Sequence, residues 1–290
     1  MIKREVARFL QGNQRSWGKI LPARIRGLIR TSLYQALVPN PITFQGIKLW
    51  RHPVRAESDR ILTQMPFGTY EPETTKLLLS LLQPGMHFVD VGAHIGYYTL
   101  LAARAVGSIG KVWAFEPTPP TFLLLRQNIL ENNAQEVVEA VQKAVTDKVG
   151  SSVFFLHPML SRSSIVEPRD MKAHCSARVE TTSLDAFFKE RGWPRVDIVK
   201  MDVEGAETMV IQGMRELVQR NPRLRLIVEF SPANIRAAGV TAEDFLSSLH
   251  SLGFSGFVID DRVEKPHFAS QTSALADYVR RGPVNLLCER

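Results

Sequence analysis

Apolar residues along this chain follow two alternating rhythms. Short, nearly continuous apolar runs bounded by turn residues occur at Phe88–Val91, Lys111–Phe115, Val137–Val141, Val196–Met201, Leu224–Phe230, Phe254–Ile259 and Val284–Cys288. Longer stretches between them repeat their apolar positions every three to four residues, over Pro72–Leu82, Tyr97–Val106, Pro120–Asn132, Ser183–Arg191, Ala206–Gln219 and Thr241–Leu252. The first rhythm predicts strands and the second amphipathic helices. Runs such as Leu226-Ile227-Val228, with no polar alternation, are expected where helices cover both faces of a parallel sheet. Seven strands interleaved with helices, the last two consecutive, predict an α/β protein with a mostly parallel sheet and one antiparallel strand. Ligands of such sheets sit beyond the carboxyl ends of the strands. The residues closing the first, second and fourth strands are therefore the first candidates for chemistry.

Two regions break the alternation. Between Thr146 and Glu180, Ser151–Leu156 and Ala177–Thr181 read as strands flanking a Ser/Arg/His-containing loop, which predicts a hairpin or lid inserted at about 146–180. Ahead of the alternating body, Thr43–Trp50 reads as a short hairpin around Gly46 and Ser58–Met65 as a connector. Over Pro22–Val38 the apolar Ile25, Leu28, Ile29, Leu33, Ala36 and Leu37 recur at helical spacing until Pro39-Asn40-Pro41 stops them. The expected organisation is a basic extension over 1–66, holding this helix and the hairpin, followed by one domain over 67–290.

Charge changes the picture by its location. The net charge of +7 resides in the first 38 residues, where Lys3, Arg4, Arg8, Arg15, Lys19, Arg24, Arg26 and Arg30 stand against Glu5 alone. The rest of the chain is balanced, which argues against a nucleic-acid-binding body. The basic helix fits packing on its own domain with a solvated face, with peripheral contact to an anionic membrane as the functional alternative. No apolar run approaches the length of a bilayer span, so a cytoplasmic protein is the expectation. Cys175 and Cys288 sit in no metal or redox spacing, the seven histidines are scattered, and no dedicated metal site is expected.

The chemistry concentrates in a few short motifs. His87-Phe88-Val89-Asp90-Val91-Gly92-Ala93-His94-Ile95-Gly96 is a strand ending in an acid, then a glycine turn into a helix. Its glycines suit positive φ or a close backbone approach, and the helix start offers amides to a nucleotide-like ligand. The spacing departs from the dinucleotide fingerprint G-x-G-x-x-G, which weighs against a nicotinamide-dependent oxidoreductase. Glu116 closes the second strand, where an acid can accept both hydroxyls of a ribose. Ile198-Val199-Lys200-Met201-Asp202-Val203-Glu204-Gly205-Ala206-Glu207 delivers Asp202 to the end of the fourth strand, and Glu207 reads as a first-turn residue complementing its helix.

Together, Gly68-Thr69-Tyr70-Glu71-Pro72, Asp90-Val91-Gly92-Ala93-His94-Ile95-Gly96, Ala114-Phe115-Glu116-Pro117, Thr181-Thr182-Ser183-Leu184-Asp185 and Lys200-Met201-Asp202-Val203-Glu204-Gly205 resemble, in order and spacing, the FkbM family of S-adenosylmethionine-dependent methyltransferases. The resemblance implies a class I methyltransferase fold, a Rossmann-like three-layer sandwich with a seven-stranded sheet of order 3-2-1-4-5-7-6 and S-adenosylmethionine over the first two strand ends. It implies that Asp90, Gly92, Ala93, His94 and Gly96 line the methionine and ribose side, and that Glu116 and Pro117 hold the ribose. Tyr70 and Glu71 would approach from the preceding segment, Asp202 from the fourth strand, and Gln142, Lys143 and Ala144 would border the adenine. That last loop lacks the acid many methyltransferases carry there. His94 stands where the family usually has asparagine, and either residue can donate a hydrogen bond, though histidine also titrates near neutrality.

The family implies methylation of a hydroxyl on a sugar, polyketide or related metabolite, so the expected partner is a small-molecule or glycan acceptor. Alcohol methylation requires loss of a proton. Asp202 is the first candidate for base or substrate positioning, followed by Glu204, Glu229 and His174. Three acids on one rim could instead hold a divalent cation. A nucleic-acid methyltransferase steered by the basic amino terminus is the competing activity, but the body lacks both the basic face it needs and an Asn-Pro-Pro-Tyr type sequence after the fourth strand.

Overall fold

A computed structural model describes residues 40–51, 64, 68, 70–157, 163–167, 175–259, 267–268 and 283–290. The basic helix expected over Pro22–Val38, the connector Ser58–Met65 apart from Gln64, and His174 lie outside the described residues. The chain divides into two compact units, Met1–Pro72 and Glu73–Arg290. In the first, β1 (Ile42–Phe44) and β2 (Ile47–Leu49) pair antiparallel with Ile42 opposite Leu49. Gln45 and Gly46 join them with φ of 45° and 79°, the two left-handed residues that let a tight hairpin follow the strand twist.

The second unit follows α1 (Pro72–Leu81) with β3 (His87–Val91), α2 (Tyr97–Val106), β4 (Lys111–Phe115), α3 (Pro119–Glu131), β5 (Val138–Val141), β6 (Ala144–Val145), β7 (Gly150–Leu156) and β8 (Cys175–Thr182). Next come α4 (Leu184–Lys189), β9 (Ile198–Met201), α5 (Glu207–Gln212), α6 (Arg215–Arg220), β10 (Arg225–Phe230), α7 (Pro232–Ala237), α8 (Ala242–Ser251), β11 (Ser255–Ile259), β12 (His267–Phe268) and β13 (Val284–Glu289). The main sheet has the order β12-β11-β13-β10-β9-β3-β4-β5. Strands β10, β9, β3, β4 and β5 run parallel, and β13 lies antiparallel between β10 and β11. Without β12, the strands numbered in chain order lie as 3-2-1-4-5-7-6. The two-residue β12 adds an eighth strand and a third antiparallel pairing that the sequence pattern does not announce, being shorter than any periodic signal.

Strand parity assigns the two faces. Val89, Val91, Trp113, Phe115, Val199, Met201, Leu226, Val228, Phe230 and Leu286 point to one face and form a core with Phe187 and Phe188 of α4, Val210 and Ile211 of α5, Leu217 of α6 and Phe245 and Leu249 of α8. The alternate residues, Asp90, Lys200, Ile227, Glu229 and Asn285 among them, point to the face bearing α1 and α2, as bonds from Thr99 to Asp90 and from Asn285 to Thr74 show. Burying apolar side chains on both faces supplies the main driving force for this layering.

One expected helix is two. The stretch Ala206–Gln219 breaks at Gly213 into α5 and α6, and glycine is required there because a β-carbon would stand 2.2 Å from the carbonyl oxygen of Thr146. The Asp185 carboxylate then caps the restarted helix, accepting from the amides of Glu216 at 3.0 Å and Leu217 at 2.8 Å. The insertion is also more than a hairpin. β8 pairs antiparallel with β7 and parallel with β6, giving a three-stranded sheet around Ala144, Phe154 and Val179.

Candidate active site

The loop after β3 is a sequence of left-handed residues. Gly92, His94 and Gly96 have φ of 85°, 51° and 96°. A β-carbon on Gly92 would lie 2.0 Å from the Asp202 carbonyl oxygen, so glycine is required by the close crossing of two strand-end loops as well as by its φ. Asparagine and histidine are both enriched among non-glycine residues at positive φ. The family asparagine and the histidine found here thus meet the same backbone demand. The loop also turns its amides inward. Those of Gly92 and Ala93 donate to the Phe115 carbonyl at 3.0 and 2.9 Å, that of His94 to Glu116 Oε2 at 3.1 Å, and that of Gly96 to the Ala93 carbonyl at 2.9 Å. The first three of these amides hold the loop against the end of β4, and that of Gly96 closes the turn within the loop.

Parity and register bring the acids to one place. Asp90 of β3 stands beside Lys200 of β9, and Asp202 continues the same face, its amide donating to the Val91 carbonyl at 3.0 Å. Asp90 is 2% exposed and accepts a 2.6 Å bond from the Thr99 hydroxyl. Burial raises its carboxyl above the ordinary range and Asp202 adds to this, while Lys200 and Thr99 pull it back. Lys200, itself 3% exposed, places Nζ 3.6 Å from Asp202 Oδ2 and 4.4 Å from the centre of the Tyr98 ring.

Glu116 closes β4 on the same face. Its Oε1 accepts from the amide of Thr118 at 3.0 Å and from the Thr118 hydroxyl, and its Oε2 from the amide of His94. Burial raises this carboxyl, and the charge of His94 and the Thr118 bonds oppose the rise. An ionised carboxylate has about four acceptor directions. Three are filled from within, which holds the group rigidly and leaves an Oε2 direction open. Pro117 follows, half-buried, and Ala93 is buried.

The remaining expected residues fall on several elements. Gln142 is exposed, Lys143 pairs with Glu180 at 3.4 Å, and Ala144 packs in the core of the three-stranded sheet. Tyr70, buried, and Glu71, with φ of 37°, belong to the first unit. Glu204 has φ of 53° and its Oε2 accepts a 2.7 Å bond from Asn234 of α7. Glu229 lies opposite Asn285 in the β10–β13 register, on the same face as Lys200. Among the described residues no three His, Cys, Asp or Glu side chains gather in a metal-holding group.

Several participants had no role assigned to them from the sequence. Lys200, Tyr98, Thr99 and Thr118 are buried partners of the acids, and parity would have placed Lys200 on the Asp90 face. Glu207 is 2% exposed and reaches back to accept from the amides of Val203 and Gly205, and burial pushes its carboxyl up to about 7. Ser164, in the insertion, donates to the Val203 carbonyl at 3.1 Å.

Residues 90–255 match the family model described as the methyltransferase FkbM domain. Among similar proteins, "Methyltransferase sdnD" of Sordaria araneosa is 28% identical over 51% of this chain and 68% of its own. "Hexuronic acid methyltransferase AglP" of Haloferax volcanii is 27% identical over 51% of this chain and 58% of its own. "31-O-demethyl-FK506 methyltransferase FkbM" of Streptomyces tacrolimicus is 27% identical over 51% of this chain and 65% of its own.

Proposed function

This chain belongs to the FkbM methyltransferase family, whose methyl donor is S-adenosylmethionine, and we propose that it methylates a hydroxyl of a sugar, polyketide or related metabolite. The observation that carries the reading is a strand-end rim built of carboxylates, Asp90, Glu116 and Asp202, beside a loop whose amides are used internally. Dinucleotide sites need loop amides for a pyrophosphate. A ligand without phosphate, carrying a ribose and cationic groups, suits the donor set found here. One relative is named for a hexuronic acid and another for O-demethylated FK506, which supports an oxygen acceptor.

Bound S-adenosylmethionine supplies an electrophilic methyl carbon on a sulfonium. Glu116, fixed by three donors, would hold a ribose hydroxyl through Oε2, and Asp90 would face the cationic end of the methionine portion. Alignment of acceptor oxygen, methyl carbon and leaving sulfur provides much of the acceleration in such a displacement. As the carbon–oxygen bond forms, the acceptor hydroxyl gives up its proton. Asp202 is the proposed recipient, being on the rim with a partly exposed side chain. Glu204, bonded to Asn234, and Glu229, beside Asn285, would border the acceptor.

Two measurements test this. Candidate acceptors incubated with methyl-labelled cofactor, followed by mass spectrometry, should yield a labelled ether. Asp90→Ala and Glu116→Ala should each weaken cofactor binding by at least about tenfold, the loss expected for one charged hydrogen bond. Unchanged affinity in both variants would refute the site.

A further inference from the structure

Strand β9 is buried along its whole length, yet one of its four residues is a lysine. Its neighbours toward the same face are aliphatic, Ile198 on its own strand and Ile227 across from it in β10. A methionine would fill the space without desolvating a charge, which is expensive unless partners compensate. The partners found are Asp90 across the β3–β9 pair, Asp202 at 3.6 Å and the face of Tyr98 at 4.4 Å. The ammonium therefore pairs with Asp202 and bears electrostatically on Asp90 at the adjoining strand end, with the Tyr98 ring against it.

On the reading that this rim is the methyl-donor site, we propose that Lys200 is a positioning residue whose buried ammonium, set between Asp202 and the Asp90 strand end, holds the two carboxyl groups in place, so that a cationic donor meets a preformed rim. Without that charge the two acids repel each other in a buried setting, and a 2% exposed carboxyl in such a setting takes up a proton. Asp90 would then offer a neutral acid to the donor. The groups bearing on Asp90 are Lys200 and Asp202 from the β9 side and Thr99 from α2, with Tyr98 of α2 against the lysine. Glu116, on the next strand end, faces His94 and Thr118.

The test compares Lys200→Met with the unmodified protein by calorimetric titration with S-adenosylmethionine from pH 6.5 to 9. The ratio of the two dissociation constants removes the titration of the donor and of Glu116, which both proteins share. It should be about tenfold or more at pH 6.5, one unit of displaced carboxyl pKa being a factor of ~10, and should fall as pH rises and Asp90 ionises. A ratio of one, or any ratio constant with pH, overturns the proposal, since a packing role has no reason to titrate. Stability supplies a second readout if Lys200→Met folds poorly. Adding Asp90→Asn, which retains an acceptor for Thr99, should raise the urea midpoint above that of Lys200→Met, and no gain would equally overturn it. Absence of donor binding by the unmodified protein would instead count against the donor-site reading, leaving the stability comparison to judge the charge pairing.

Discussion

Replacing Glu207 with glutamine should change how the stability of this protein depends on pH. The carboxyl is 2% exposed, accepts from the amides of Val203 and Gly205, and lies near the charge of Asp202. Burial is the largest cause of its rise from 4.5 to about 7. A carboxyl raised on folding binds its proton more tightly in the native state. Below pH 4.5 both states are protonated, and the native state bears no penalty. Between 4.5 and about 7 the unfolded chain ionises first, so stability declines as pH rises, and above that range the full penalty applies. At 1.36 kcal/mol per unit the shift corresponds to about 3 kcal/mol. The glutamine side chain would keep an oxygen for the two amides and carry no proton linkage. Urea unfolding of both proteins at pH 5 and pH 8 isolates this residue, because Asp90, Glu116 and Asp185, which burial also raises, are present in both. The variant should gain on the wild type by at least about 1 kcal/mol between the two pH values, a discounted share of the full shift. A difference in stability that stays constant with pH would refute the reasoning.

Gly92→Ala should be more harmful than its size suggests, since its β-carbon would press to 2.0 Å from the Asp202 carbonyl at a φ of 85°. A loss of about 2–4 kcal/mol in urea unfolding is expected from overpacking and left-handed strain combined, and a loss below about 0.5 kcal/mol would show that the two loops separate easily. Asp185→Ala removes the acceptor for two amides of α6. It should cost about 1–2 kcal/mol by the same assay, as loss of a helix cap does, while Asp185→Asn should cost less.

The alternating layers were legible because buried parallel strands and amphipathic helices write different periods into the sequence. The bounds of α2, for instance, coincide with the apolar repeat over Tyr97–Val106. The need for glycine at 213, where the helix breaks, was not legible, because the group that crowds it is the Thr146 backbone, far off in the chain. The same distinction runs through the site. Asp90, Gly92, Glu116 and Asp202 stand at strand ends and turns, where the local pattern singles them out. Lys200 is hidden inside an apolar run, and its meaning appears only once register sets it beside Asp90 and α2 lays Tyr98 over it. Thr118 likewise lies outside every pattern read from the sequence, yet it supplies two of the three bonds that fix Glu116.

The bond from Ser164 to the Val203 carbonyl bears on how such proteins diversify. It stitches the inserted three-stranded sheet to the very loop that carries Asp202 and Glu204. Exchange of insertions between relatives, whether in evolution or in the design of chimaeras with new acceptors, is therefore not a free graft at 146–180. A transplanted segment has to bring a donor for Val203, or the recipient loop loses a tether beside Asp202 and Glu204. Serine at 164 is thus a seam to preserve at the junction when acceptor preference is re-engineered.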